Sequence, residues 1–251
     1  MRCAVLSDIH GNLEALTAAI TACASQGVEQ YLCLGDVVGY GADPVACLAR
    51  LEALKAVAVA GNHEAGCIGK LELNWFTHSA RAAIEWTRDQ LGFTELDALR
   101  RLHWIETEEP FTLVHASLRH PERFAYLTDV GQMIDTLHLC KTLICLAGHT
   151  HVPCIVEYDL AQRRLLRVLT AAAELADVSY ADEAATRRYF VNPGSVGQPR
   201  DGDPRAGFAI IDTSQHRISM HRVAYDIASA QQKIRQAGLP SFLADRLALG
   251  R

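Results

Sequence analysis

Five short polar segments punctuate the first 151 residues: Ser7-Asp8-Ile9-His10, Gly35-Asp36, Gly61-Asn62-His63-Glu64, Val114-His115 and Gly148-His149-Thr150-His151. Each follows a short apolar run, namely Cys3 to Leu6, Tyr31 to Leu34, Val57 to Ala60, Phe111 to Val114 and Thr142 to Leu146. A chain that repeatedly ends a strand on Asp, Asn or His is constrained to a fold in which strand ends meet. In α/β sheets that place is the crevice beyond the carboxyl ends of the strands.

Amphipathic patterns between the first three runs predict helices. One has Asn12 at its N-cap and Leu13, Leu16 and Ile20 on one face; the next has Asp43 at the N-cap and Pro44 at the first helical position, where a missing N–H costs nothing. A longer helical pattern from Asn74 to about Leu102 puts Trp75 and Trp86 among its core-facing residues. The later texture is hairpin-like, with strands expected at Cys154 to Tyr158, Leu165 to Leu169, Tyr189 to Val191, Phe208 to Ile211 and Ile218 to Val223. Successive β-α units followed by consecutive strands predict an α/β fold of two packed sheets with helices outside. Two short helices, Ala228 to Gln236 and Ser241 to Leu249, form a C-terminal tail. With no linker or repeat in 251 residues, the expectation is a single domain.

Composition narrows the function classes. A formal net charge of −5 disfavours a surface built to coat nucleic acid, which needs clustered Lys and Arg. No basic leader precedes the first strand and no apolar run reaches membrane-spanning length, so a cytoplasmic location is expected. The eight cysteines are scattered through apolar segments without a C-x-x-C pair, which predicts buried, reduced thiols. Cys67 stands apart, because it is expected in a loop just past Asn62-His63 and near any metals.

Asp8 and His10 are two apart, as are His149 and His151. On extended backbone, i and i+2 side chains share a face, so each pair is expected to reach into one site. Together the five segments resemble the calcineurin-like metallophosphoesterase family. The likeness runs from Met1 to about Arg200 and is nearest to the small bacterial and archaeal phosphodiesterase branch. It is carried further by Gly39-Tyr40-Gly41 and by Asn192-Pro193-Gly194-Ser195-Val196-Gly197-Gln198. Protein phosphatases of that superfamily carry Asp-Arg-Gly where this chain has Val37-Val38-Gly39-Tyr40-Gly41, which argues against that activity.

The resemblance implies a four-layer α/β/β/α sandwich and a centre of two divalent ions. It makes Asp36 the bridge, gives Asp8, His10 and His151 to one ion and Asn62, His115 and His149 to the other, and makes His63 the acid that assists the leaving oxygen. Two ions about 3.5–4 Å apart supply a nucleophile at neutral pH and a clamp for phosphoryl oxygens. Set against two carboxylates and one hydroxide, they leave about one positive unit for an anionic substrate. Mixed nitrogen and oxygen donors suit manganese, iron, zinc, nickel or cobalt rather than calcium. An imidazole with its ordinary pKa near 6.5 matches the acid role of His63.

Outside this set, Tyr40, Arg119, Arg123 and Arg200 are candidate substrate contacts. The Asn192 to Arg200 run is first of all a turn signal. After His115 the chain has Ala116, where much of the family has Gly, and this departure falls on the substrate loop. The expected activity is metal-dependent hydrolysis of a small phosphodiester, or a phosphomonoester, with no membrane partner. The alternatives are a nucleotide or dinucleoside polyphosphate hydrolase and a non-catalytic metal-binding scaffold.

Overall fold

Apolar side chains that alternate along a strand supply two layers at once. In β1 (Arg2–Leu6), Cys3 and Val5 face the space between two sheets, while Ala4 and Leu6 pack against helices on the outer side. The computed structural model describes residues 1–170 and 177–251. After β1 come α1 (Leu13–Ser25), β2 (Gln30–Cys33), α2 (Pro44–Ala53), β3 (Val57–Ala58), α3 (Asn62–Cys67), α4 (His78–Gln90) and α5 (Phe93–Arg101). Next are β4 (Ile105–Glu108), β5 (Phe111–Val114), α6 (Val130–Leu139), β6 (Ile144–Leu146), β7 (Cys154–Asp159), β8 (Arg164–Leu169) and β9 (Val178–Ser179). The chain closes with β10 (Arg187–Asn192), β11 (Ala206–Asp212), β12 (Arg217–Val223), α7 (Ile227–Gln236) and α8 (Ser241–Asp245).

One sheet has the order β3-β2-β1-β11-β12-β9 and the other β4-β5-β6-β10-β7-β8. Within them β1, β2 and β3 run parallel, as do β5, β6 and β10, so the site-bearing strands of each sheet end on the same side. Their facing surfaces share a core that includes Val5, Leu32, Leu34, Leu113, Ile144 and Val191. Leu16 of α1, Leu51 of α2 and Ile84 of α4 cover the outer face of the first sheet, and Leu137 of α6 covers that of the second. The four-layer sandwich is therefore present.

Several boundaries differ from the sequence expectation. β3 keeps only Val57 and Ala58 in register with β2. The predicted long helix is two, because Gly92 is the N-cap of α5 and α4 has already ended at Gln90. Trp75 is not a core residue: it precedes α4 in a short 3₁₀ turn and is 81% exposed. Trp86 is half-buried against the tail. The strands β4 and β9 and the helices α3 and α6 were not anticipated, although Asp129 and Gln132 form a capping box that starts α6.

Asn12 caps α1 as expected, accepting from the Ala15 N–H at 3.1 Å. Asp43 precedes α2 but leaves its N–H groups uncapped; its carboxylate takes Lys233 Nζ at 2.8 Å instead. Lys233 also reaches Glu14 at 2.6 Å, so one ammonium ties α7 to both α1 and α2. The last tail helix is α-helical only to Asp245 and continues as a 3₁₀ turn over Arg246–Leu249. All eight cysteines are buried and free. Cys67 belongs to α3 rather than a loop, and burial pushes its thiol pKa up, which suits an inert core residue. Among the described residues, no helix is long and apolar enough to cross a membrane.

Candidate metal centre

The five segments meet where β1, β2, β3, β5 and β6 end. The convergence has a different cause from i, i+2 alternation. Asp8, His10, Asp36, His149 and His151 all have positive φ, between 51° and 66°, in the left-handed region. Asp and His tolerate that region better than most residues, but it still costs on the order of 1–2 kcal/mol each. Sharp left-handed turns, rather than continued strand, swing these side chains inward. All five are buried.

Backbone carbonyls fix which nitrogens are free. His10 Nδ1 meets the Val38 carbonyl at 3.2 Å, His151 Nδ1 the Gln198 carbonyl at 2.5 Å and His115 Nδ1 the Leu34 carbonyl at 2.7 Å. A carbonyl only accepts, so each Nδ1 carries the hydrogen and each Nε2 a lone pair. Yet His10 Nε2 and His151 Nε2 face each other at 3.2 Å, and His115 Nε2 faces His149 Nδ1 at 3.0 Å. For His10 and His151 the opposed lone pairs fit a shared cation; no backbone carbonyl fixes the His149 tautomer, so its Nδ1 can instead donate to His115 Nε2.

The carboxylates repeat the pattern. Asp8 Oδ2 accepts from Ser7 Oγ at 2.6 Å and from the His149 N–H at 3.1 Å, whereas Oδ1 accepts no hydrogen bond and lies 3.3 Å from His151 Nε2. Asp36 Oδ1 accepts the His63 N–H at 2.9 Å, leaving Oδ2 at 3.7 Å from His10 Nε2 and 3.4 Å from His115 Nε2. Donor atoms of Asp8, His10 and His151 lie within 4.8 Å of one another, as do those of Asp36, His115 and His149. Asn62 joins the second group through Oδ1, 3.1 Å from His115 Nε2. The two donor groups thus have the chemistry of metal sites, and Asp36 Oδ2 lies at their facing edges.

Electrostatics agree. Burial would raise the Asp8 and Asp36 carboxyls, but His151 beside Asp8 and His115 with His63 beside Asp36 outweigh it and hold both low. Burial pushes the His10 and His151 pKa values down and takes His149 to about 3. His115 moves oppositely: burial lowers it, yet the Asp36 charge and hydrogen bond raise it to about 9. With a cation in place of that proton, the same lone pair serves as a ligand.

Two braces hold the loops. Glu64, wholly buried, accepts four backbone N–H groups, from Asp36 (2.7 Å), Val37 (2.8 Å), Val38 (3.1 Å) and Gly61 (2.8 Å). Burial and then the Asp36 charge push its pKa up to about 7, against the N–H groups of Gly61 and Val38. Four donors and no acceptor define a pocket for the carboxylate form. Its sequence signal was an acid three residues after the glycine that opens α3, the reach-back half of a capping box. The Asn192–Gln198 run is the second brace: Asn192 Nδ2 donates to the Gly148 carbonyl at 2.9 Å, and Ser195 Oγ to the Asp8 carbonyl at 2.7 Å. Its role is to join the loops after β1 and β6.

His63 lies with its ring 4.7 Å from that of His10, between Tyr40 at 4.5 Å and Phe76 at 5.5 Å. It is not poised at the ordinary imidazole pKa: burial, joined by the Arg200, His115 and His151 charges, brings it to about 4 despite Asp36. A nitrogen of His63 also falls within 4.8 Å of donors on His10 and Asp36. Its Nδ1 is buried without a partner, and Gly39, at φ +84°, packs so close that a Cβ there would lie 2.1 Å from it.

Tyr40 touches the His10 ring at 4.5 Å, and the Arg200 N–H donates to the His151 carbonyl at 3.3 Å. Tyr40 is thus at the centre, while Arg200 adjoins it through its backbone N–H, its guanidinium donating to Gln198 Oε1 at 2.9 Å. Arg119 and Arg123 are exposed, and neither guanidinium has a hydrogen bond or ion pair among the described residues. Tyr126, stacked on His149 at 3.9 Å, was missed; a lone tyrosine between motifs gives no spacing signal.

Residues 1–216 match the calcineurin-like phosphoesterase superfamily domain. An uncharacterized protein of Methanocaldococcus jannaschii is 37% identical over 252 residues, spanning 99% of this chain and 98% of that protein. The crystal structure of a metallophosphoesterase from Sphaerobacter thermophilus is 36% identical, with all of both chains covered and a TM-score of 0.84. A hypothetical protein from Pyrococcus horikoshii shares the fold at 21% identity, with a TM-score of 0.76 over 100% of this chain and 98% of that one.

Proposed function

The chain belongs to the calcineurin-like phosphoesterase superfamily, and from that premise we propose that it hydrolyses small phosphodiesters at a centre of two divalent metal ions. The observation that carries this reading is Asp36 Oδ2, set 3.7 Å from His10 Nε2 and 3.4 Å from His115 Nε2, the facing edges of two donor groups. When bound, the two ions supply a nucleophile from water at neutral pH and charge to hold the phosphoryl oxygens. Asp8, His10 and His151 would hold one ion, Asn62, His115 and His149 the other, and Asp36 both.

The remaining residues orient substrate and move a proton. His63 Nδ1 is closed off by Gly39, so the proton for the leaving oxygen passes through Nε2. The ring is neutral at pH 7 on its own. A phosphoester beside it adds negative charge, which acts with Asp36 to favour the protonated form. Tyr40, whose hydroxyl pKa burial raises, stays protonated and can donate to the substrate from the glycine-flanked turn. The chain's Val37-Val38-Gly39-Tyr40-Gly41 run supports diesters over phosphoproteins, and manganese is the first metal to test.

The test is hydrolysis of bis(4-nitrophenyl) phosphate and 4-nitrophenyl phosphate by metal-loaded protein, against a phosphoserine peptide and a chelated control. Turnover of the diester that chelation removes and manganese restores is expected. Turnover insensitive to chelation, or a preference for the peptide, overturns the reading.

A further inference from the structure

An open groove of about 720 Å³ lies between the end of α5, the start of β4 and the 3₁₀ turn Pro121–Arg123. Lys70, Arg100, Arg101, His103, Trp104 and Pro121 line it, and among the described residues no Asp or Glu does. Arg101 is held by Asp97 at 2.6 Å and His103 by Glu106 at 2.6 Å, whereas Lys70 and Arg100 have no ion pair or side-chain hydrogen bond among the described residues. Lys70 Nζ lies instead over the Trp104 ring, 5.2 Å from its centroid. A chain of net charge −5 thus gathers unpaired cations and an aromatic ring in one concave place.

The segment that begins at Pro121 joins this groove to the metal centre. Phe124 is buried, with its ring 5.5 Å from that of Trp104 and 5.9 Å from that of His115, so a single ring separates the groove from a proposed ligand. Two residues on, Tyr126 stacks on His149 at 3.9 Å and is still 51% exposed. Burial of Phe124 and Leu127 pegs the segment on either side of that tyrosine. Arg123, exposed and unpaired, stands between Pro121 and Tyr126. The path from groove to centre therefore offers Trp104 with Lys70 and Arg100, then Arg123, then Tyr126.

Aromatic faces interleaved with cations match a ligand of stacked bases joined by phosphates. Stacking accepts any base, because every base has a π-face, and the cations track the backbone. An acidic peptide would engage the cations and leave the rings without partners. The acidic remainder of the surface repels a strand that runs beyond the groove, which keeps the bound length short. We propose that the groove and residues 121–126 form a track for a short single-stranded oligonucleotide, leading one of its phosphodiesters to the metal centre. This deepens the phosphodiesterase reading and rests on it, naming the substrate class.

Fluorescence anisotropy on manganese-loaded protein follows a labelled phosphorothioate hexathymidylate, whose linkages resist hydrolysis, beside a labelled hexaglutamate. Wild type is expected to bind the hexathymidylate at least about tenfold more tightly, with affinity falling as salt rises. Lys70→Gln combined with Arg100→Gln should flatten the slope of log Kd against log salt by about 1.4, roughly 0.7 for each lost phosphate contact. Tyr126→Ala should lower hexathymidylate affinity about tenfold and leave hexaglutamate unchanged. If that variant melts below wild type, Arg123→Gln reads the same stretch of the track through its own loss of about 0.7 in slope. Hexaglutamate bound as tightly as hexathymidylate, or slopes unaltered in the charge variants, overturns the track. Hydrolysis of bis(4-nitrophenyl) phosphate without hexathymidylate binding would sink the track alone, and binding without any hydrolysis would sink the proposed function alone.

Discussion

Single atoms decide the chemistry of this centre. Asp36 spends one oxygen on the His63 N–H and keeps the other between two imidazoles. Asp36→Asn keeps the shape and removes the charge, so both ions should be lost from purified protein, as read by elemental analysis; retention of both with near-normal turnover would exclude a bridge. His63→Ala should behave oppositely, keeping two ions while kcat on a poor leaving group falls by roughly 10²–10⁴-fold, and less on 4-nitrophenolate. Loss of metal in that variant would make His63 a ligand, as its distance to His10 and Asp36 allows. At this scale the sequence was informative where a side chain sits inside a motif. It was silent where a residue arrives from outside the motifs, as Tyr126 does against His149, because spacing records local geometry and not tertiary approach.

At the scale of elements, the Gly39-Tyr40-Gly41 turn sets the distance between β2's loop and α3. Gly39→Ala would combine a left-handed φ with a Cβ driven into His63 Nδ1. Turnover should fall at least about tenfold with metal stoichiometry retained, a split that elemental analysis alongside kinetics would reveal; loss of the ions as well would place the damage at Asp36 instead. Strands and helices whose periodicity ran unbroken were legible, β1, β2, β5 and α1 among them. Elements without such a period were not: β9 pairs only at Val178 and Ser179, and α3 opens on Asn62, His63 and Glu64, which break any apolar period. The exposed Trp75 shows the limit of reading hydrophobicity as burial, since its neighbour Phe76 takes the inward position beside His63.

Across the whole molecule, the proposed ligands come from both sheets, Asp8, His10, Asp36 and Asn62 from the first and His115, His149 and His151 from the second. Ion binding is therefore coupled to the packing of one sheet on the other. Chelation should lower the melting temperature, by the equivalent of about 2.7 kcal/mol for each ion present at 100 times its Kd, without splitting the transition. The apolar layer between the sheets does not depend on metal, so the stripped protein should stay folded. Early loss of one sheet's signal on chelation, followed by circular dichroism and tryptophan emission, would contradict that coupling. The left-handed residues Asp8, His10, Asp36, His149 and His151 carry a further consequence. Glycine fits every one of these conformations more easily, and none of the five side chains supports the apolar core. What holds the strained backbone in place is therefore the set of inward polar contacts these side chains make, such as His10 Nδ1 to the Val38 carbonyl and Asp36 Oδ1 from the His63 N–H.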